Sequence, residues 1–420
     1  MPIGNNLQHA AYSRSDPGDR VEYRELVIGA PPDSLAWQEA MAGMGSQLAQ
    51  AGVQLVVFLH GTAYGTDVFG MQRLDEVGGL KRGYSRGIAG LDALLALMRD
   101  GTNGVPALKD AKPPFTDGDP TKQLIDNQAG DAANFSHTYV ELFRKAINRS
   151  TERPIPCERV LWSSEHHHIG RSQAAVQVIS RLRALATEQK LGPGDRILVQ
   201  AHGHAGLVMA LASNLLAPHE SAGRASFLSA LKDYAMHTGV STAGIDLLEQ
   251  SPEQALNGAT LDVVTFGTPV RYGWDPSSLG KLLHIVNHRP MRVDGKRWLA
   301  KMELPQITME MPIAWGGDYV QQLAVGGSDA MPASPEAKAV NKVLWELLEP
   351  YEGFERWLEC ARKSVRCHND GHCLLVDYKD STPTSSAKDH IYGHAAYTRM
   401  NAMLFNTTEI MRSLYVPLGT

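Results

Sequence analysis

The residues best placed to do chemistry lie in one short turn. An apolar strand, Arg196-Ile-Leu-Val-Gln200, runs into Ala201-His202-Gly203-His204-Ala205-Gly206, and an apolar helix follows from Ala205 to Leu216. A strand that turns this sharply into a helix holds its middle residue on strained backbone, exposed to a reactant. Small residues must stand two places before and two places after it, because the backbone is crowded there. Ala201 and Ala205 fill those places around Gly203. Centring on His204 instead would put His202 where a small residue is needed. The pattern marks residue 203 as a nucleophile position, and glycine brings no hydroxyl or thiol to it.

Two other groupings carry reactive side chains. Glu165-His166-His167-His168 follows a strand-like run ending at Ser163. In an open parallel sheet that strand end faces the same side as the turn, where ligands sit. Imidazole is a common metal ligand, but consecutive residues point in different directions and do not easily give one ion three ligands. His166 is therefore expected to line a cleft. Cys360, Cys367, His368, His372 and Cys373 lie close together late in the chain without a Cys-x-x-Cys pair, so no zinc site is expected. No phosphate loop or dinucleotide fingerprint follows a strand. The expectation is a protein with no metal and no cofactor.

The turn resembles the Gly-His-Ser-x-Gly-Gly elbow of lipases and related serine esterases of the α/β-hydrolase fold, with Gly203 where the serine stands. Val56-Val-Phe-Leu-His60-Gly61-Thr62 resembles the His-Gly oxyanion loop of that fold, and Thr265-Phe-Gly267-Thr-Pro269 resembles a Thr-Phe-Gly-x-Pro run familiar in lipases. The resemblance implies an α/β fold: a central, mostly parallel sheet of the α/β-hydrolase type, with helical insertions. It implies acyl-ester chemistry on a small-molecule or lipid ester, through serine attack, a histidine base and an acyl-enzyme. The backbone N–H groups of Gly61 and His204 would meet the developing oxyanion. His60 and His202 would line the cleft beside His166.

The same resemblance sets the chain order: nucleophile, acid, then a histidine after the last strand. His394 and His390 both qualify. His394 is preferred, because it follows Gly393 and its His-x-x-Tyr397 resembles the histidine segment of some lipases. Among the acids Asp318, after Trp315-Gly-Gly317, is preferred; Asp275 and Asp294 remain open. With glycine at 203, the implied hydrolase activity is impaired or lost. The alternative is a non-catalytic binding protein that keeps the cleft. A third reading uses another nucleophile: Ser163, Ser164 or His204.

These residues need a scaffold to bring them together. Short apolar runs alternate with helical patterns, which predicts parallel βα units. Strands are expected at 53–59, 159–163, 196–200, 261–266, 281–286 and 373–377. Helices are expected at 34–51, 170–190, 205–216, 340–360 and 394–414. The whole chain, 1–420, reads as one domain, with insertions at about 63–155, 218–258 and 288–370 as a lid or cap.

Composition narrows the function classes. A net charge of -5 gives no electrostatic support for binding nucleic acid. No apolar run reaches the roughly 18 residues of a membrane span, and the first 20 residues lack the apolar stretch of a secretory signal. Four cysteines in 420 residues make no disulfide framework. The expectation is a cytoplasmic protein, or one exported by a route that needs no signal peptide.

Overall fold

Strands that helices cover on both faces read as continuous apolar runs, and several such runs are present here. The computed structural model describes residues 7, 21–61, 123, 126–127, 129–162, 167–218, 221–288, 317–323, 332, 335–348, 367–379 and 390–416. In chain order the described elements are Glu22–Glu25 (β1), Leu35–Gln50 (α1), Val53–Leu59 (β2), His137–Ile147 (α2), Cys157–Val160 (β3), His168–Glu188 (α3), Arg196–His202 (β4), Ala205–Leu215 (α4), Ala222–Thr238 (α5), Ala243–Gln250 (α6), Thr260–Phe266 (β5), Lys281–Asn287 (β6), Tyr319–Leu323 (α7), Pro335–Leu348 (α8), His372–Asp377 (β7) and Met403–Ile410 (α9). The strands form one sheet in the order β1-β7-β6-β5-β4-β2-β3, and every neighbouring pair is parallel.

The period of two along each strand divides the core between the sheet's faces. Leu55, Val57, Ile197, Val199, Leu261 and Val263 pack with α3, α4, α5, α6 and α8. Val56, Phe58, Leu198, Val264, Phe266 and Ile285 pack with α1, α2 and α9. The nearly wholly apolar helix α4 is buried along its entire length, as a helix running back beneath the sheet must be. The result is three layers, with helices on both sides of a parallel sheet. Among the described residues no helix is long and apolar enough to cross a membrane.

Several expectations are corrected here. The third strand ends at Val160 rather than Ser163. Trp162 leaves the ladder because its backbone N–H donates to His60 Nε2 at 3.1 Å and its indole N–H to the His60 carbonyl at 2.9 Å. The strand β1, Glu-Tyr-Arg-Glu, was not anticipated and pairs beside β7. The expected helix 394–414 is instead a series of short 3-10 turns followed by α9 and a π turn. Arg399 is extended (φ -63°, ψ 138°) and breaks the helix, while Arg399 and the Met400 N–H bond the Asp131 carboxylate. The helix expected at 340–360 runs from Pro335 to Leu348, and residues 349–366 lie outside the described set. Of the three expected insertions, the first contributes α2, the second α5 and α6, and the third α7 and α8.

Candidate active site

Parallel strands place all their carboxyl ends on one edge of the sheet, so the loops after β2, β4, β5 and β6 meet there. Gly203 follows β4 directly and has φ +55°, the left-handed conformation a sharp strand-to-helix turn requires. Its N–H continues the ladder to the Phe266 carbonyl at 2.8 Å. Its own carbonyl accepts from the Thr268 hydroxyl at 2.9 Å. Thr268 also explains the next glycine of the turn. A Cβ on Gly206 would fall 1.9 Å from Thr268 Oγ1. The Thr-Phe-Gly-Thr-Pro run therefore braces the turn.

The histidine and its acid come from two loops that interlock. Gly393 and Gly317 both have positive φ, +87° and +94°. A Cβ on Gly393 would meet the Gly317 carbonyl at 1.9 Å, so the two chains pass closer than side chains allow. The Asp318 N–H donates to the Asn287 carbonyl at 2.9 Å, and the Asn287 side-chain amide donates to the Gly393 carbonyl at 2.8 Å. This pins both loops to the end of β6.

The arrangement of the side chains follows from that crossing. His394 Nδ1 donates to Asp318 Oδ2 at 2.7 Å, and Asp318 is fully buried. Asp318 Oδ1 accepts from the Gln321 N–H at 2.8 Å. Tyr397 donates its hydroxyl to Oδ2 at 2.7 Å. The far nitrogen of His394, Nε2, faces Gly203: it lies 2.7 Å from where a Cβ on that residue would stand, and Gly61 Cα lies 3.8 Å from the same point. The structure thus brings together Gly203, His394, Asp318 and Gly61, while His204 caps the N-terminus of α4 in αR conformation. A base oriented by a carboxylate, with its free nitrogen at the elbow, can take a proton from a group attacking there.

Asp275 is a turn residue whose carboxylate accepts from the Ser277 N–H at 3.0 Å. Asp318 engages His394 rather than His390. Asp294, His166, Ser163 and Ser164 lie outside the described residues. His60, expected on the cleft wall, is buried and ties the loop after β2 to Trp162. His202, expected beside it, is fully buried; its Nε2 donates to the His394 carbonyl at 3.1 Å and the two rings lie 4.2 Å apart. Burial, then the neighbouring His394, hold the His202 imidazole well below its ordinary pKa. It is therefore neutral, and the carbonyl fixes its proton on Nε2.

The supporting residues carry no mark of their role in the sequence. Asn287, the last residue of β6, holds the loops of Asp318 and Gly393 through its carbonyl and its side-chain amide. Tyr397 stands out in the sequence only as the last residue of His-x-x-Tyr. Thr268 lay within a recognised run without a role. Among the described residues no three His, Cys, Asp or Glu side chains converge to hold a metal ion. Comparison of the chain with protein-family models, curated proteins and solved structures returns no match.

Proposed function

We propose that this chain is a lipase- or esterase-like scaffold of the α/β-hydrolase type that binds acyl esters and lacks the nucleophile for acyl-enzyme turnover. The observation that carries this reading is His394, bonded through Nδ1 to buried Asp318 and turned through Nε2 onto Gly203. The parallel sheet and the elbow support it. The strand order departs from the usual order of that fold, with β1 added beyond β7. A serine at 203 would give its Oγ proton to His394 Nε2 and attack the ester carbonyl. The N–H groups of Gly61 and His204 would meet the oxyanion, and the alcohol would leave with the proton from His394.

The deciding experiment restores the hydroxyl. Gly203→Ser should hydrolyse p-nitrophenyl esters, with an initial burst, and should be labelled at residue 203 by a fluorophosphonate probe. A folded Gly203→Ser protein that neither turns over esters of any chain length nor takes the label would sink the hydrolase reading.

One observation favours a second reading, a binding protein that never uses a nucleophile. The imidazole already occupies space that a side chain at 203 would need. On this reading the unaltered chain binds an ester or fatty acid in calorimetry without turnover, and Gly203→Ser weakens that binding.

A further inference from the structure

Tyr397 occupies an unusual place among the residues around the dyad. It is 1% exposed, and its hydroxyl lies between two polar groups. The Asn287 N–H donates to the phenolic oxygen at 2.7 Å, so that oxygen is the acceptor there. The phenolic proton is then left for Asp318 Oδ2, also at 2.7 Å. Burial, then the Asp318 charge, raise the phenol well above its ordinary pKa, so it stays a donor. Oδ2 is the same oxygen that accepts from His394 Nδ1.

Three elements therefore meet the carboxylate directly, the start of α7 through the Gln321 N–H and the two turns that carry His394 and Tyr397, while the end of β6 holds the Tyr397 hydroxyl through the Asn287 N–H. Gly267 clears the space. A Cβ there would fall 2.4 Å from Asp318 Oδ2 and 2.7 Å from the Tyr397 ring. A tyrosine serving only as packing would not need a hydroxyl bonded on both sides. We infer that Tyr397 is a positioning residue for the base: its phenol, fixed by Asn287, sets the location of the carboxylate oxygen that orients His394. This rests on the reading of His394 as the base of a hydrolase-type site, but its first test needs no catalysis.

That test is NMR on the unaltered chain with labelled histidine, reading solvent exchange of the His394 Nδ1 proton, assigned by its loss in Asp318→Asn. Tyr397→Phe keeps the ring and removes the hydroxyl. It should speed the exchange roughly 10-fold or more, because a carboxylate held by one fewer charge-assisted bond samples open positions. Tyr378→Phe is the control. Its ring lies 5.3 Å from that of Tyr397 and its hydroxyl bonds Asn406, so the exchange should not move. An unchanged or slower exchange in folded Tyr397→Phe, or equal acceleration in Tyr378→Phe, overturns the inference. Should Tyr397→Phe not fold, 3-fluorotyrosine incorporated in a Tyr378→Phe chain keeps the hydroxyl and strengthens it as a donor. The His394 Nδ1 proton resonance should then shift, and a fixed resonance overturns the inference.

A second readout uses the Gly203→Ser background, where Tyr397→Phe should lower kcat roughly 10-fold with KM nearly constant. An inactive Gly203→Ser protein would count against the hydrolase reading alone and leave the exchange result standing.

Discussion

The Nε2 atom of His394 lies 2.7 Å from the point where a Cβ on Gly203 would sit. That is closer than carbon and nitrogen approach without displacement. The imidazole is not free to retreat, because its Nδ1 is bonded to Asp318 and its backbone carbonyl to His202. Histidine and glycine are thus mutually fitted, and this fit decides what any side chain at 203 must overcome.

The first prediction follows directly. Gly203→Ala and Gly203→Ser should each lose about 1–2 kcal/mol of stability, because both put a Cβ on a residue at φ +55° and against the His394 ring. Denaturant unfolding of the two variants should give similar midpoints, both below that of the parent. Only the serine variant should hydrolyse esters. Equal activity in the alanine variant would mean that the reaction does not use residue 203.

The second concerns the carboxylate. In Asp318→Asn one oxygen can still accept from the Gln321 N–H, but the amide NH₂ then opposes both the His394 Nδ1 proton and the Tyr397 hydroxyl. In the Gly203→Ser background kcat should fall by on the order of 10⁴-fold, the loss seen when a base histidine is left in the wrong tautomer. Steady-state kinetics checks this, and a loss below about tenfold would leave Asp318 with a structural role only.

The sequence exposed some of this site and hid the rest for physical reasons. β2, β4, β5 and β6 are apolar on both faces, so composition alone marks them. β1 carries no such mark. Glu22, Tyr23, Arg24 and Glu25 are held at the edge by backbone pairing with β7. Gly203 was legible because the turn's steric demands reach only two residues either way. Asp318 was one candidate of three, since its fitness depends on a crossing with the loop that carries His394, 76 residues further along the chain. The break in the expected last helix was hidden for the same reason: it falls at Arg399, where Arg399 and the Met400 N–H bond Asp131, which is 268 residues from Arg399 in sequence.

Gly267 supplies the third prediction. It has φ +59°, and its missing Cβ makes room for Asp318 Oδ2 and Tyr397. Gly267→Ala should cost about 2–4 kcal/mol, adding backbone strain to overpacking. It should also abolish ester hydrolysis in the Gly203→Ser background. Gly130→Ala is the matched control. Its φ is +54°, with nothing within 4 Å of the added Cβ, so it should show the strain cost alone. Equal losses at the two sites would mean that the space behind Gly267 does not hold the acid in place.

The last prediction concerns acid. His167 caps α3 by accepting the Gly170 N–H on Nδ1 at 2.9 Å, which only a neutral ring can do. Burial, with Arg171 adding to it, brings its pKa down to about 4 from an ordinary 6.5. Below pH 6.5 the unfolded chain takes up a proton that the folded chain refuses. Stability therefore falls as the pH is lowered from 6.5 towards 4, and is fully retained above that window. His202, neutral and wholly buried, pushes in the same direction. Asparagine keeps a capping oxygen and does not titrate, so His167→Asn isolates the His167 share. The variant and the parent should differ by no more than about 0.5 kcal/mol at pH 7. Near pH 4 the variant should be the more stable by about 2 kcal/mol, less than the full linkage value because His167 is partly exposed. Carboxylates that titrate in this range contribute to both proteins and cancel in the difference. Urea unfolding at a series of pH values reads it directly, and parallel curves for the two proteins would show that His167 is not held neutral in the fold.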